Sequence, residues 1–237
     1  MPEAPTLAVE AVEAGYDGAK VLREVDLTVR QGEVVALLGR NGAGKTTLLK
    51  AIGGHLRPTA GAILIDGAPA PPRPFQRARA GITLIPEGRG VFPHLTVREN
   101  LRLMLPPWRR GESTDPALDM FPVLRKRLGQ SAGTMSGGEQ QMLALSRCVL
   151  AEPRVVLLDE VSMGLAPRVV ETIFEALRDL AAAGTSLLLV EQYVAKALDL
   201  ADSVLVLDRG RVVLTGTSSE IDEGVLSRQY LSVPDAS

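Results

Sequence analysis

The stretch Gly39-Arg40-Asn41-Gly42-Ala43-Gly44-Lys45-Thr46-Thr47 gathers residue types that can hold phosphate. Gly39, Gly44, Lys45 and Thr46 satisfy G-x-x-x-x-G-K-[ST] in full. Gly42 and Gly44 let the backbone turn tightly, so that consecutive N–H groups converge on one concavity suited to an anion. Lys45 offers a point charge to β- and γ-phosphates, and the Thr46 hydroxyl offers an oxygen ligand to Mg²⁺. A second group is Asp159-Glu160, two carboxylates that close the apolar run Val155-Val156-Leu157-Leu158. At the carboxyl end of a parallel strand, Asp159 lies where open α/β sheets bind ligands, beside the phosphate loop. There it would hold Mg²⁺ through water, while Glu160 would polarise an attacking water. The third group is Ser136-Gly137-Gly138-Glu139, with capping-box spacing at a helix start. A cap alone does not need two consecutive glycines, and bare N–H groups at a helix start suit an anion. These residues predict a nucleotide-phosphate site.

Positioning them requires strands and helices at fixed places. Val34 to Leu38 reads as a buried strand running into the phosphate loop. Thr47 to Ile52 opens a helix whose N-terminus points at the phosphates. Leu7–Val12 and Val21–Val29 read as strands, the second alternating apolar and charged residues, as suits an antiparallel sheet with one covered face. Between them Tyr16 falls in a Gly-flanked loop, where an aromatic either stacks on an adenine ring or plugs the core edge. Ala62–Ile65 is a strand closed by the hairpin-type turn Asp66-Gly67. Pro69, Pro71, Pro72 and Pro74 form a connector too brief to separate domains. The strand Ile82–Ile85 ends at Pro86-Glu87-Gly88-Arg89-Gly90.

From Phe92 to about Leu150 the pattern turns helical. Thr96 and Glu99 make a capping box, Pro106-Pro107 stops that helix, and Trp108 to Gly111 is a loop. Arg125-Lys126-Arg127 reads as a solvated helix face. The helix begun at Ser136 runs through Met142, Leu145 and Val149. Leu187–Val190 is a further buried strand ended by Glu191-Gln192, and Val204–Leu207 with Val212–Leu214 makes a closing hairpin. The expected organisation is a single domain over 1–237, with a core at 1–86 and 155–237 and a helical subdomain at about 87–154.

The 237 residues suffice for a sizeable core, and the net charge of −2 argues against a general nucleic-acid binder. The single cysteine, Cys148, suits a reducing compartment and reads as a small core hydrophobe. Met-Pro-Glu-Ala-Pro lacks the features of a signal peptide, and no apolar run approaches the ~20 residues that span a bilayer. The expectation is a soluble cytoplasmic protein whose membrane contact goes through a partner.

In order and spacing, these motifs resemble the ATP-binding-cassette (ABC) ATPases, over essentially the whole chain. More narrowly, Pro86-Glu87-Gly88-Arg89, Phe92 to Val97, Gly133 to Met142, Gly164-Leu165-Ala166-Pro167 and Val190-Glu191-Gln192 resemble the smaller ATPase subunit of branched-chain amino acid importers. Related urea and amide importers look alike here. The resemblance implies an α/β P-loop NTPase core of the RecA type, with an N-terminal antiparallel β subdomain and an inserted helical subdomain. It implies ATP and Mg²⁺ as cofactors, transmembrane permease subunits as partners, and a place on the cytoplasmic face of the membrane. It also implies a head-to-tail dimer with a second ABC ATPase subunit, each ATP lying between one phosphate loop and the other subunit's Ser136-Gly137-Gly138-Glu139.

The resemblance further assigns nucleotide contacts to Tyr16, by adenine stacking, and to Gly39 through Thr47. It assigns metal contacts to Thr46, Asp159 and Glu87, and catalytic roles to Glu160, Lys45 and Gln192. Several residues depart from the general pattern: Met135 and Glu139 for Leu and Gln, Glu87 for the loop Gln, Val161 for Pro, Ala166 for Asp, Gln192 for His. A cassette acting on DNA or ribosomes would carry coiled coils, a second cassette or basic tails, which this sequence lacks. A nucleotide-binding regulator without turnover is the other rival, opposed by intact Lys45, Thr46, Asp159 and Glu160 but kept open by Gln192 and Ala166.

Overall fold

The computed structural model describes residues 6–191, 193–221 and 223–226. β1 (Leu7–Tyr16) turns into β2 (Ala19–Val29), and β3 (Val34–Leu38) leads through the Gly-rich loop to α1 (Lys45–Ile52). β4 (Ala60–Ile65), the short β5 (Ala68–Pro69), α2 (Pro74–Arg79) and β6 (Ile82–Ile85) follow. A run of helices comes next: α3 (Val97–Met104), α4 (Asp115–Met120), α5 (Pro122–Arg125) and α6 (Gly137–Leu150). Strands and helices then alternate through β7 (Val155–Asp159), α7 (Pro167–Ala182), β8 (Ser186–Val190) and α8 (Val194–Leu200). β9 (Ser203–Asp208), β10 (Arg211–Thr217) and α9 (Glu223–Leu226) complete the described elements.

Two sheets carry this chain. One is antiparallel, in the order β2-β1-β4-β5; the other runs β10-β9-β3-β8-β7-β6 and is parallel from β9 to β6. Every residue of β3, β7 and β8 is buried, as their unbroken apolar runs require of strands covered on both faces. Alternation splits β3 between two cores. Val35 and Leu37 face α1 and the antiparallel sheet, while Ala36 and Leu38 face α3, α6 and α7. Each fully buried Leu or Val contributes about 1.5–3 kcal/mol over its exposed state. Val97, Leu101, Phe121 and Leu124 of the helical stretch belong to the same cluster as Val156 and Leu158 of the sheet. Cys148 lies there too, and burial pushes its thiol up to about 12, as suits a packing residue.

Register decides the site. Leu37 and Asp159 both pair with Val190, and Ile85 pairs with Leu158, so four strands end at one edge. The phosphate loop, the Glu87 segment, Glu160 and Glu191 all leave the sheet there.

Some expectations need correction. Tyr16 ends β1 rather than sitting in a loop; Asp17 (φ 48°) and Gly18 (φ 81°) alone make a two-residue hairpin turn. Gly15 lies within the strand because a Cβ there would meet the Ala19 carbonyl oxygen at 1.8 Å. The Pro-rich connector contains β5 and ends in α2, whose first residue is Pro74, a position where the missing N–H costs nothing. Pro107–Arg109 is a 3-10 turn within the expected loop. α7 and α8 lie outside the expectations, although α7 buries Val170, Ile173, Phe174 and Leu177 at helical spacing. The Arg125-Lys126-Arg127 run is a solvated face, with Arg125 paired to Asp115 and Asp119. No helix among the described residues is long and apolar enough to cross a membrane.

Candidate functional site

The loop after β3 wraps back on itself. Lys45 Nζ donates to the carbonyls of Gly39 at 2.7 Å and Arg40 at 3.1 Å, so the first helical residue closes the loop that precedes it. Gly44 holds φ 111°, a left-handed N-cap that an L side chain would strain, and it offers no side chain to the first helical amides. Those N–H groups at the start of α1 are left for an anion, reinforced by the helix dipole. Ala43 is buried, and its carbonyl accepts from the Gly210 N–H at 2.9 Å, pinning the loop to the β9–β10 turn.

A cavity of about 500 Å³ opens over this loop. Asn41, Gly42, Gly44, Lys45, Thr46 and Thr47 form its floor, and Glu87 and Glu160 face them. Val21 and Met163 line it as well, neither marked by any sequence motif. Thr46 Oγ1 donates to Asp159 Oδ1 at 3.1 Å, which puts the buried Asp159 carboxylate directly behind the loop. Burial raises the Asp159 pKa above its ordinary value; the Thr46 hydroxyl opposes this, and the Glu160 and Glu87 carboxylates add to it. Burial lowers the Lys45 pKa, with Glu160 and Asp159 opposing. One cation and three carboxylates thus share a confined space.

The predicted residues do not all meet here. Tyr16 is 44 % exposed and does not line the cavity; that exposure disposes of the core-plug alternative. Ser136, Gly137, Gly138 and Glu139 stand at the N-terminus of α6, away from the cavity. Glu139 Oε2 accepts from the Ser136 N–H at 3.0 Å, and its Oε1 accepts from Arg127 Nε at 3.1 Å, so this carboxylate serves the cap. Ser136 is exposed, whereas Gly138 is buried, and a Cβ on it would stand 2.7 Å from Val169 Cγ1 of α7. Gln192 lies outside the described residues. Val161, in place of a Pro, is buried in the helical core, and Ala166 is the N-cap of α7 without a side-chain cap bond.

Sequence reasoning missed Ser162 and Glu191. Both are buried, and Glu191 accepts from the Ser162 N–H and hydroxyl just beyond Glu160. The available signal was an acidic residue closing an apolar strand, the same one that marked Asp159.

Residues 22–163, from β2 through the phosphate loop to the turn after Glu160, match the family described as ABC transporter. The chain belongs to that family. A high-affinity branched-chain amino acid transport ATP-binding protein, BraG, from Pseudomonas aeruginosa is 41 % identical over 91 % of this chain and 94 % of its own length. A probable branched-chain amino acid transport ATP-binding protein, LivF, from Archaeoglobus fulgidus is 37 % identical over 89 % of this chain and 91 % of its own. A solved ATP-binding subunit of an ABC transporter superposes with a TM-score of 0.80 at 33 % identity, covering 94 % of this chain and 92 % of its own. This ABC ATPase therefore has the α/β cassette architecture the motifs imply.

Proposed function

We propose that this chain hydrolyses ATP to drive a branched-chain amino acid importer. The observation that carries hydrolysis is the cavity itself, which Lys45, Thr46 and Glu160 line together and where Thr46 is bonded to Asp159. The import assignment is supported by the two relatives named for branched-chain amino acid transport, each matched over nearly its full length.

The donor set fits Mg²⁺: a hydroxyl on Thr46 and carboxylates on Asp159 and Glu87 are hard oxygen ligands. Among the described residues no three His, Cys, Asp or Glu side chains form a self-sufficient metal group, so phosphate oxygens would complete the shell. Bound there, the metal would neutralise charge developing on the β- and γ-phosphates. Lys45 Nζ exchanges its loop carbonyls for phosphate oxygens, and the α1 amides cradle the β-phosphate. Glu160 orients the attacking water and takes its proton. Tyr16 stacks on the base, and Gln192 donates to the γ-phosphate.

Ser136, Gly137 and Gly138 serve the ATP of a second ABC ATPase subunit in a head-to-tail dimer, in keeping with their place outside this chain's own cavity. One nucleotide-binding domain, with a core at 1–86 and 155–237 and a helical subdomain at about 87–154, then couples to permease subunits at the cytoplasmic face of the membrane. Purified with its membrane partners and placed in liposomes, the complex should import leucine with ATP, and Glu160→Gln should bind ATP yet nearly stop both hydrolysis and uptake. ATP-driven urea uptake without leucine uptake would overturn the substrate; full turnover in Glu160→Gln would overturn the base.

A further inference from the structure

Glu160 holds φ 50°, a left-handed conformation that a residue with a side chain keeps only when its surroundings over-determine it. The end of β8 supplies that constraint from both sides. Before the turn, the Glu160 N–H donates to the Val190 carbonyl at 2.9 Å. After it, the Ser162 N–H donates to Glu191 Oε1 at 3.1 Å, and the Ser162 hydroxyl donates to Glu191 Oε2. Val190 and Glu191 are consecutive, so one dipeptide grips the residues at and beyond Glu160. Ser162 is fully buried and Glu191 is 3 % exposed. Water therefore cannot replace either acceptor if the Glu191 carboxyl group is removed.

We infer that Glu191 is a positioning residue for hydrolysis, its carboxyl group clamping Ser162 so that the turn presents Glu160 to the phosphate cavity. The inference rests on the reading of Glu160 as the group that activates water. Its physical content is that an αL residue between two anchored neighbours has one orientation, whereas loss of one anchor lets the backbone relax toward ordinary φ. Such relaxation moves the Glu160 carboxylate and leaves the phosphate loop, held by β3 and α1, where it is. Nucleotide affinity and turnover should consequently separate.

The test uses the full chain for nucleotide affinity and the assembled transporter complex for turnover. Glu191→Leu fills the space but leaves the Ser162 N–H without an acceptor. It should keep the Mg·ATP Kd within about threefold of wild type and lower kcat roughly ten- to a hundredfold. Glu191→Gln should recover most of that loss, because its amide oxygen accepts from the Ser162 N–H and the hydroxyl can turn to accept from its NH₂. Combined with Glu160→Gln, Glu191→Leu should add nothing, since the positioned group is already gone. Where Glu191→Leu fails to fold, Ser162→Ala serves instead, with a smaller loss of kcat at unchanged Kd.

Unchanged kcat in both Glu191→Leu and Ser162→Ala would overturn the clamp. So would a joint loss of nucleotide affinity and kcat, or a full additional loss on the Glu160→Gln background. Full turnover in Glu160→Gln alone would instead remove the reading of Glu160, and the role of the clamp with it.

Discussion

Thr46 Oγ1 donates to Asp159 Oδ1 at 3.1 Å, joining residues 113 positions apart at the rim of one sheet. The hydroxyl proton is turned to the carboxylate, which leaves the Thr46 oxygen lone pairs free for a hard cation. Asp159→Asn keeps an acceptor for Thr46 but removes a buried charge from a space shared with Glu87 and Glu160. We predict that this variant loses about tenfold or more in affinity for ATP with Mg²⁺, while affinity in EDTA is unchanged or higher, because the bare nucleotide is itself anionic. Titration of a fluorescent ATP analogue with Mg²⁺ and with EDTA checks this. Equal losses in both would show that Asp159 shapes the loop rather than holding metal.

Lys45 couples binding to stability in opposite senses. Burial lowers its pKa below the ordinary 10.5, so folding disfavours the charged form. A base with a depressed native pKa costs stability fully below that pKa, and the cost disappears as pH rises toward the unfolded value. Lys45→Met should therefore abolish tight ATP binding while leaving the unfolding free energy equal to or above wild type near pH 7. The gap between the two proteins should narrow as pH approaches 10.5. Denaturant unfolding at several pH values, read by circular dichroism, measures it; a gap that widens with pH would show the sign is wrong.

The phosphate loop, the Asp159-Glu160 strand end and the α6 start were legible in the sequence because each pairs a local pattern with an unambiguous chemical demand. Val34–Leu38 and Val155–Asp159 are buried on both faces, and that burial is visible as an unbroken apolar run. In the sequence Gly15 and Gly18 read as turn residues, which puts Tyr16 in a loop. The reason for Gly15 is instead a cross-strand approach of backbone to backbone, which no local pattern records. The role of Glu191 is hidden from the sequence for a similar reason. Its partner Ser162 is 29 residues distant, and only the pairing of β7 with β8 brings them together. Val21 reaches the cavity through the β1–β2 hairpin, again a tertiary fact.

Gly138 is explained by packing as much as by phosphate. A Cβ there would stand 2.7 Å from Val169 Cγ1 and 3.0 Å from its Cγ2, closer than atoms pack. Gly138→Ala should destabilise the chain by about 1–3 kcal/mol through overpacking of α6 against α7. Val169→Ala in the same chain should restore much of that loss, since it removes both clashing methyls. Thermal unfolding of the two single variants and the double variant gives the coupling energy. Additive losses would mean that Val169 is not what Gly138 accommodates.

Ser136 allows the head-to-tail arrangement to be tested without disturbing the fold. Its hydroxyl caps α6 by accepting from the Glu139 N–H at 3.3 Å, and the residue is exposed and outside this chain's own cavity. Asp and Asn cap helices about as well as Ser, so Asn should cost no more than a few tenths of a kcal/mol; Asp should cost somewhat more, because the Ser136 hydroxyl it replaces lies 3.1 Å from Glu139 Oε2. They differ in charge alone. In a head-to-tail dimer the γ-phosphate bound by the second subunit approaches Ser136, and a carboxylate there repels it, whereas an amide can still donate. Ser136→Asp should therefore keep the ATP affinity of the isolated chain and lower turnover of the assembled complex about tenfold or more, with Ser136→Asn retaining more activity than Ser136→Asp. Raising salt should recover little of the loss, because the contact is enclosed once the dimer closes. Equal turnover of Ser136→Asp and wild type in the complex, or a fall in ATP affinity of the isolated chain, would place Ser136 away from a partner's nucleotide.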